Sequence, residues 1–369
     1  MRDSVYLDNE TIKYANDLNC LKNKWKSSLR KHHIKAPLIS NVRCASWNCT
    51  GEILAIGTNC GELLFINFEK DVETFADMII KIATISESKE RFVEECIYDL
   101  KDSDNEVNHI VFHNKHPHMC VSSSSDHSLR FWNPYNAVKV GDWCNLELAT
   151  QTINSMCFKG NTVTDATLYC ITNYEKLWKL QQTSNDFIVL SKTSKNEIND
   201  IVVYGEDNCI IGPSHRGTVI LYDGDTLEQT HQFEIGTQKR GYRVTALNKD
   251  ETLLALGNNF AQVQIFLLKE ETVLTQYDGM RNTVRHLSFS ACGKFLAIGG
   301  DDDYIVILET KNFEEIYRID NLGSKCRFLE FNPIYPYLIY KECDRSKMNP
   351  IRKERNVNYD QAILLGPFT

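Results

Sequence analysis

The chain has 369 residues, of which 42% are hydrophobic and 24% charged, with a net charge of −8, and these are the proportions of a soluble globular protein. No apolar run approaches the roughly 18 residues a membrane span needs, and the start, MRDSVYLDNETIKYANDL, has no apolar signal-peptide core. The expectation is an intracellular, soluble protein, and the net acidity argues against a dedicated nucleic-acid binder.

Residues 1–35 are predicted to form a short helical, basic arm. Residues 21–35, LKNKWKSSLRKHHIK, carry six Lys/Arg and no acid. Leu18, Leu21, Trp25 and Leu29 recur at helical spacing opposite the lysines. The stripe could pack on the body of the protein or dock a partner, and Trp25 with its neighbouring lysines could touch RNA in an auxiliary role.

From residue 36 onward a repeat takes over. VRCASW (42–47), VNHIVF (107–112), INSMCF (153–158), INDIVV (198–203), VTALNK (244–249), VRHLSF (284–289) and CRFLEF (326–331) share a small or β-branched first residue and period-2 alternation. The starts after residue 107 lie 46, 45, 46, 40 and 42 residues apart. Second strands follow in GEILAIGT, DETLLALGN and CGKFLAIGG, third strands in HSLRFWN, TVILYDG and YIVILET, and fourth strands in EQTHQFEI and EEIYRID.

Four short strands in each of seven repeats read as an all-β, seven-bladed β-propeller spanning residues 36–369. One blade cannot bury both its faces, so neighbours must cover each other. The last repeat shows three strands after residue 326, and its fourth is expected from the N-terminal side near HIKAPLIS (33–40).

Two inserts interrupt the array. Residues 69–106 hold twelve Asp/Glu against five Lys/Arg. Within this acidic insert (70–106), Phe75, Met78, Ile79 and Ile82, then Phe92, Cys96 and Leu100, keep helical spacing and predict two short amphipathic helices. Phe75 and Ile79 join Leu18, Leu21, Trp25 and Leu29 as candidate docking residues. A polar insert, 341–358, lies in the last repeat.

HPHMCVSSSSDHSLRFWN (116–133) collects histidines, serines and an aspartate in one short segment. Ser124, Asp126 and His127 are nearly contiguous on a strand and its turn, whereas a nucleophilic triad is assembled from separated elements around an exposed elbow. His113, His116 and His118 have no fourth ligand at recognisable spacing. The 13 cysteines include no C-x-x-C pair, which suits small buried hydrophobes in a reducing compartment. Walker-type and dinucleotide-type glycine loops are absent. The Asp301–Asp303 run reads as a turn with Asp302 inward and its neighbours solvated. No catalytic, cofactor-binding or metal-ligating residue is expected, and the protein is read as not an enzyme.

The segment SSSSDHSLRFWN resembles the signature of the WD-repeat superfamily, with Asn133 where aspartate is usual. The resemblance implies that Asp126 is the turn acid, Ser124 the strand serine and Trp132 the indole donor to it. Asp302 in GGDDDYIVILE would repeat the turn role with no tryptophan beneath it. The usual histidine upstream of the first strand is missing from KDSDNE. More narrowly, VRHLSFSACGKFLAIGGDDDYIVILET and CRFLEFNPIYPYLIYKECDRS are similar to the last two blades of the WD-repeat subunit (subunit 3) of the THO/TREX complex. That likeness implies a nuclear, non-catalytic scaffold for other, helical THO subunits in mRNA processing and export, with no membrane partner. The acidic insert departs from the pattern. The alternatives are the Polycomb-type WD-repeat subunit of a histone methyltransferase complex, which Val107 to Asn133 also resembles, or another WD-repeat adaptor.

Overall fold

In the computed structural model, residues 29–33, 42–59, 61, 63–67, 106–135, 138–143, 152–160, 166–172, 176–182, 187–192, 198–205, 209–234, 241–343 and 360–366 are described. The secondary structure there consists of strands, and no helix occurs among the described residues.

The strands fall into seven antiparallel sheets. After β1 (Arg30–His33), the first sheet holds β2 (Val42–Trp47), β3 (Ile53–Thr58) and β4 (Leu63–Asn67). The second holds β5 (Val107–Phe112), β6 (Cys120–Ser124), β7 (Leu129–Asn133) and β8 (Val138–Trp143). The third contains β9 (Ile153–Lys159), β10 (Thr167–Thr172), β11 (Leu177–Gln182) and β12 (Phe187–Lys192). The fourth contains β13 (Val202–Tyr204), β14 (Cys209–Pro213), β15 (Thr218–Tyr222) and β16 (Gln229–Glu234). The fifth is built from β17 (Tyr242–Leu247), β18 (Leu253–Asn258), β19 (Val263–Leu267) and β20 (Thr272–Tyr277), and the sixth from β21 (Val284–Phe289), β22 (Phe295–Gly300), β23 (Ile305–Glu309) and β24 (Glu314–Ile319). In the seventh, β25 (Leu329–Phe331), β26 (Leu338–Cys343) and β27 (Asp360–Gly366) are joined by β1 on the outer edge.

Burial explains why the sheets need one another. The second strands are enclosed on both faces, as along the whole of β3 and β22. Apolar clusters fill the gap between each sheet and the next. Trp132 and Phe65 meet between the first and second sheets, Trp178 and Phe131 between the second and third, and Ile307 and Tyr340 between the sixth and seventh. A further cluster joins Leu54 and Ile56 of the first sheet to Ile339 and Leu364 of the seventh, which closes the sheets into a ring. At ~1.5–3 kcal/mol for each large aliphatic side chain buried, these gaps dominate the stability. Glycine permits the closest approaches. A Cβ on Gly57 would lie 2.6 Å from Cγ1 of Val107 in the next sheet, and one on Gly257 would lie 2.6 Å from Cγ1 of Val284.

The ring is latched by its N-terminal segment. Arg30, Lys31, His32 and His33 pair with Gly366, Leu365, Leu364 and Ile363, and Lys31 Nζ lies 2.8 Å from Glu342. This strand comes slightly earlier than the expected 33–40. It also ends the predicted helical arm before residue 35, and Leu29 is buried in the cluster with Ile316, Ile363 and Leu365 instead of facing a partner. The apolar neighbours on β27 give Leu29 more burial than a lone amphipathic turn could.

Other boundaries moved for identifiable reasons. In INDIVV only Ile198 makes an isolated bridge, to Ser214, before β13 begins. Asp200 Oδ1 accepts the Ile201 amide at 2.9 Å, which takes that donor from the ladder. In CRFLEF the Cys326 amide donates at 2.9 Å to Gly300 of the preceding sheet, and only Leu329–Phe331 is laddered. The last-repeat insert begins after 343, because Lys341–Cys343 continue β26.

The inner strands of consecutive sheets do not ladder with one another, so their channel-facing amides need side-chain acceptors. Asp200 Oδ2 accepts the Thr245 amide at 2.7 Å and Ser288 Oγ the Phe331 amide at 2.9 Å. Glu330 accepts the Trp47 amide, with the Ser46 hydroxyl also on its carboxyl. The result is a belt of side-chain bonds from sheet to sheet around the channel wall.

Candidate functional site: the signature turn and the channel mouths

The best-preserved repeat signature lies in the second sheet. β6 and β7 pair antiparallel with Ser122 opposite Arg130 and Cys120 opposite Trp132. The Trp132 indole N–H donates to Ser122 Oγ at 2.8 Å. The serine beneath the indole is therefore Ser122 and not Ser124. Strand alternation explains the difference, since Ser122 and Ser124 share a face and Ser124 lies one step further into the turn. Ser124 Oγ accepts the Asp126 amide at 3.4 Å. Asp126 accepts the Ser128 amide at 3.0 Å and the Ser128 hydroxyl at 2.6 Å, and it pairs with Arg130. Burial opposes ionisation of Asp126, but Arg130 and Ser128 outweigh it and hold the carboxyl below its ordinary range.

Ser122→Ala should leave the buried indole N–H without its acceptor and destabilise the protein by ~1–3 kcal/mol. Ser124→Ala should cost clearly less. Equal shifts in urea-unfolding midpoint for the two variants would contradict the assignment.

Asp302 is buried and accepts the Arg281 and Asn282 amides at 3.1 Å each and the Asn282 side-chain amide at 2.8 Å. It ties the loop entering the sixth sheet to the turn between β22 and β23. Its neighbour Asp301 is not simply solvated. It pairs with Arg285 at 2.9 Å and with Lys325 at 3.2 Å.

The histidines hold a turn. His113 is buried, and its Nδ1 accepts the Lys115 and His116 amides at 3.0 and 3.1 Å. Directly after the inner strand, Asn48, Asn248, Ser290 and Asn332 do the same work in other sheets. His118 instead packs against Tyr135 in a tilted ring contact, with centroids 4.2 Å apart. Among the described residues, no group of three or more His, Cys, Asp or Glu is placed to hold a metal ion. Leu18, Leu21, Trp25, Phe75 and Ile79 lie outside the described residues.

The inner strands all run in the same sense, so their two ends form the two mouths of the channel. At the finishing end a cavity of about 530 Å³ is lined by Trp47, Phe112, Leu247, Phe289, Ile334 and Glu330 among others. Burial pushes the Glu330 carboxyl up to about 8, against the hydrogen bonds from Ser46 and Trp47. Burial likewise raises Asp200, against Ser155 and two amides.

At the starting end a cavity of about 600 Å³ is lined by Arg43, Arg285, Lys325 and Arg327, with Glu106 and Asp301 as its carboxylates. Arg43 lies 2.9 Å from Glu106. His109 and His286 sit deeper in the wall. Burial, and then Arg43, lowers His109 to about 4. Burial, then His109 and Arg285, lowers His286 to about 4. Arg243 is also depressed, by burial and then by Arg285. No sequence signal had marked this mouth as a site, although an arginine recurs at the second position of VRCASW, VRHLSF and CRFLEF.

Comparison with known proteins agrees with this architecture. Residues 245–332 match the family model for the anaphase-promoting complex subunit 4 WD40 domain, and residues 94–133 match that for the WD domain, G-beta repeat. Over 144 residues the chain is 24% identical to pre-mRNA-processing factor 19 homolog 2 of Arabidopsis thaliana, covering 38% of this chain and 26% of that protein. The chain thus spans about a quarter of that relative's length. The crystal structure of the Myceliophteria thermophila Cps50 (Swd1) β-propeller domain superposes with a TM-score of 0.65 over 91% of this chain and 99% of that one. At 10% identity that likeness speaks for the fold alone. Neither family model is that of an enzyme. Ring closure, the Ser122–Trp132 signature and the matched repeats lead to one conclusion: the chain has a β-propeller fold and carries WD40-type repeats at residues 94–133 and 245–332.

Proposed function

We propose that the protein is a non-catalytic, seven-bladed scaffold that holds other subunits of a multi-protein assembly, and that this assembly is the nuclear THO/TREX complex of mRNA processing and export. One observation carries the scaffold reading. The channel's half-buried acids, Asp200 and Glu330, are committed to joining neighbouring inner strands, and its histidines are held neutral. A general acid or base needs a titratable group free to meet a substrate. The remaining resource of such a ring is rigid surface, which suits WD40 propellers as platforms for protein–protein contact.

The THO/TREX assignment is supported by the similarity of residues 284–310 and 326–346 to the last two blades of that complex's WD-repeat subunit. A relative named for pre-mRNA processing points to the same kind of process. Affinity purification of the tagged full chain from nuclear extract is expected to recover THO subunits, and imaging is expected to place the protein in the nucleus. Recovery of a histone methyltransferase instead would move the chain to the Polycomb-type reading. Recovery of neither would sink the THO assignment.

A further inference from the structure

The starting-end mouth owes its charge to a repeated irregularity. In the first, second, fifth and sixth sheets the pairing of the inner strand with its neighbour slips at the same place, between Val42 and Cys44, Val107 and His109, Tyr242 and Val244, and Val284 and His286. The residues spanned by these slips are Arg43, Asn108, Arg243 and Arg285. A β-bulge leaves its extra residue outside the ladder and re-aims its side chain. In the seventh sheet the inner strand is short, and Arg327 occupies the corresponding place just before β25. Sheets five, six, seven and one are consecutive around the ring, so Arg243, Arg285, Arg327 and Arg43 form a continuous arc at one end of the channel, with Lys325 beside them.

Only part of this charge is matched. Glu106 serves Arg43, and Asp301 serves both Arg285 and Lys325. Arg243 and Arg327 are exposed and belong to no ion pair among the described residues. The crowding is felt locally, because Arg285 disfavours the charge on Arg243 and Arg43 that on His109. Keeping cations this close without neutralising them costs stability, and a bound anion would relieve it.

We propose that this mouth is the docking site for an acidic polypeptide segment, whose carboxylate or phosphorylated side chains are taken up by Arg243, Arg285, Arg327, Arg43 and Lys325. The proposal rests on the scaffold reading above and names the partner chemistry for it. Guanidinium forks match carboxylates and phosphates in paired hydrogen bonds, and Asp301 already takes the Arg285 fork in that manner. The cavity of about 600 Å³ holds a few side chains. A peptide fits better than a nucleic acid because the protein's net charge of −8 repels a long polyanion crossing the rest of its surface. A short acidic segment brings its charge to the mouth alone.

The test measures fluorescence anisotropy of fluorescein-labelled hexaglutamate against the full chain. Binding should saturate, weaken as NaCl is raised, and fall about tenfold or more in the double variant Arg243→Glu/Arg327→Glu. Lys249→Glu, at the opposite mouth, should bind as the wild type does. All three positions are exposed, so melting temperatures should be retained, and circular dichroism checks this. Absence of saturable binding, an equal loss in Lys249→Glu, or tighter binding of an oligouridylate of equal charge would each overturn the proposal. Purification separates it from the scaffold reading. If the double variant recovers the same partners as the wild type, the site falls and the scaffold stands, whereas a wild type that recovers no partner removes the scaffold itself.

Discussion

Removing residues 1–33 is expected to open the ring and cost about 5 kcal/mol. The loss has two sources. Four residues of β1 ladder with β27, at a net ~0.5–1.5 kcal/mol for each backbone hydrogen bond. Leu29 leaves the apolar cluster between the sixth and seventh sheets, worth a further ~1.5–3 kcal/mol. The Lys31–Glu342 pair is exposed and adds little. Truncation also bares β27, a strand with buried Ala362, Ile363, Leu364 and Leu365, as a new sheet edge, so self-association should accompany the loss of stability. A chain beginning at Ser28 keeps Leu29 and β1 and isolates their contribution. Urea unfolding and sedimentation of the two truncated chains decide the matter, and equal midpoints would show that β1 does not latch the ring.

Glu330→Gln is expected to stabilise the protein at pH 8 by a few kcal/mol while leaving it little changed at pH 5. The folded pKa of Glu330, about 8, lies above the ordinary value of ~4.3. Its protonated form is therefore favoured by folding. That contribution is fully present below pH ~4.3 and is lost as pH rises through about 8, at up to ~1.4 kcal/mol per pH unit. Glutamine keeps an oxygen for the Trp47 amide and a donor for Ser46, and it cannot ionise.

His109 and His286 act in the opposite sense. Their folded values near 4 lie below the unfolded one, so their contribution is present above pH ~6.5 and lost as pH falls toward 4. They affect wild type and variant alike, so the difference between the two stability curves isolates Glu330. Curves that run parallel from pH 5 to pH 8 would refute the assignment of a half-buried Glu330 with a raised pKa.

Much of the sheet pattern was legible because each strand announces itself locally. Val42–Trp47, Val107–Phe112 and Val284–Phe289 are strands over their full predicted length. Their alternation repeats in each sheet, and the apolar second strands mark where neighbours press on both faces. The arginine arc was partly visible for the same reason, since Arg43, Arg285 and Arg327 follow the first residue of their segments. Arg243 does not show in that pattern because the period-2 alternation of the fifth repeat begins at Val244, two residues beyond the start of its strand at Tyr242. A bulge shifts register by one residue without altering local composition, so alternation alone misplaces it.

Side-chain partners were less legible. The signature pattern points to Ser124 as the serine beneath Trp132, and only the pairing of β6 with β7 identifies Ser122. The Glu330 carboxyl looked like any polar residue on an alternating strand. It has its character because ring closure brings the Trp47 amide, 283 positions away in the sequence, against it.

By itself, then, the sequence determined the repeat, the strands and the turn chemistry of Asp126 and His113, because each depends on neighbours within a few residues. Tertiary structure alone decided which sheet the N-terminal strand completes, which amides the half-buried acids satisfy, and how four arginines from separate repeats come to share one mouth. Those outcomes follow from closing the ring, which juxtaposes residues that local pattern cannot relate.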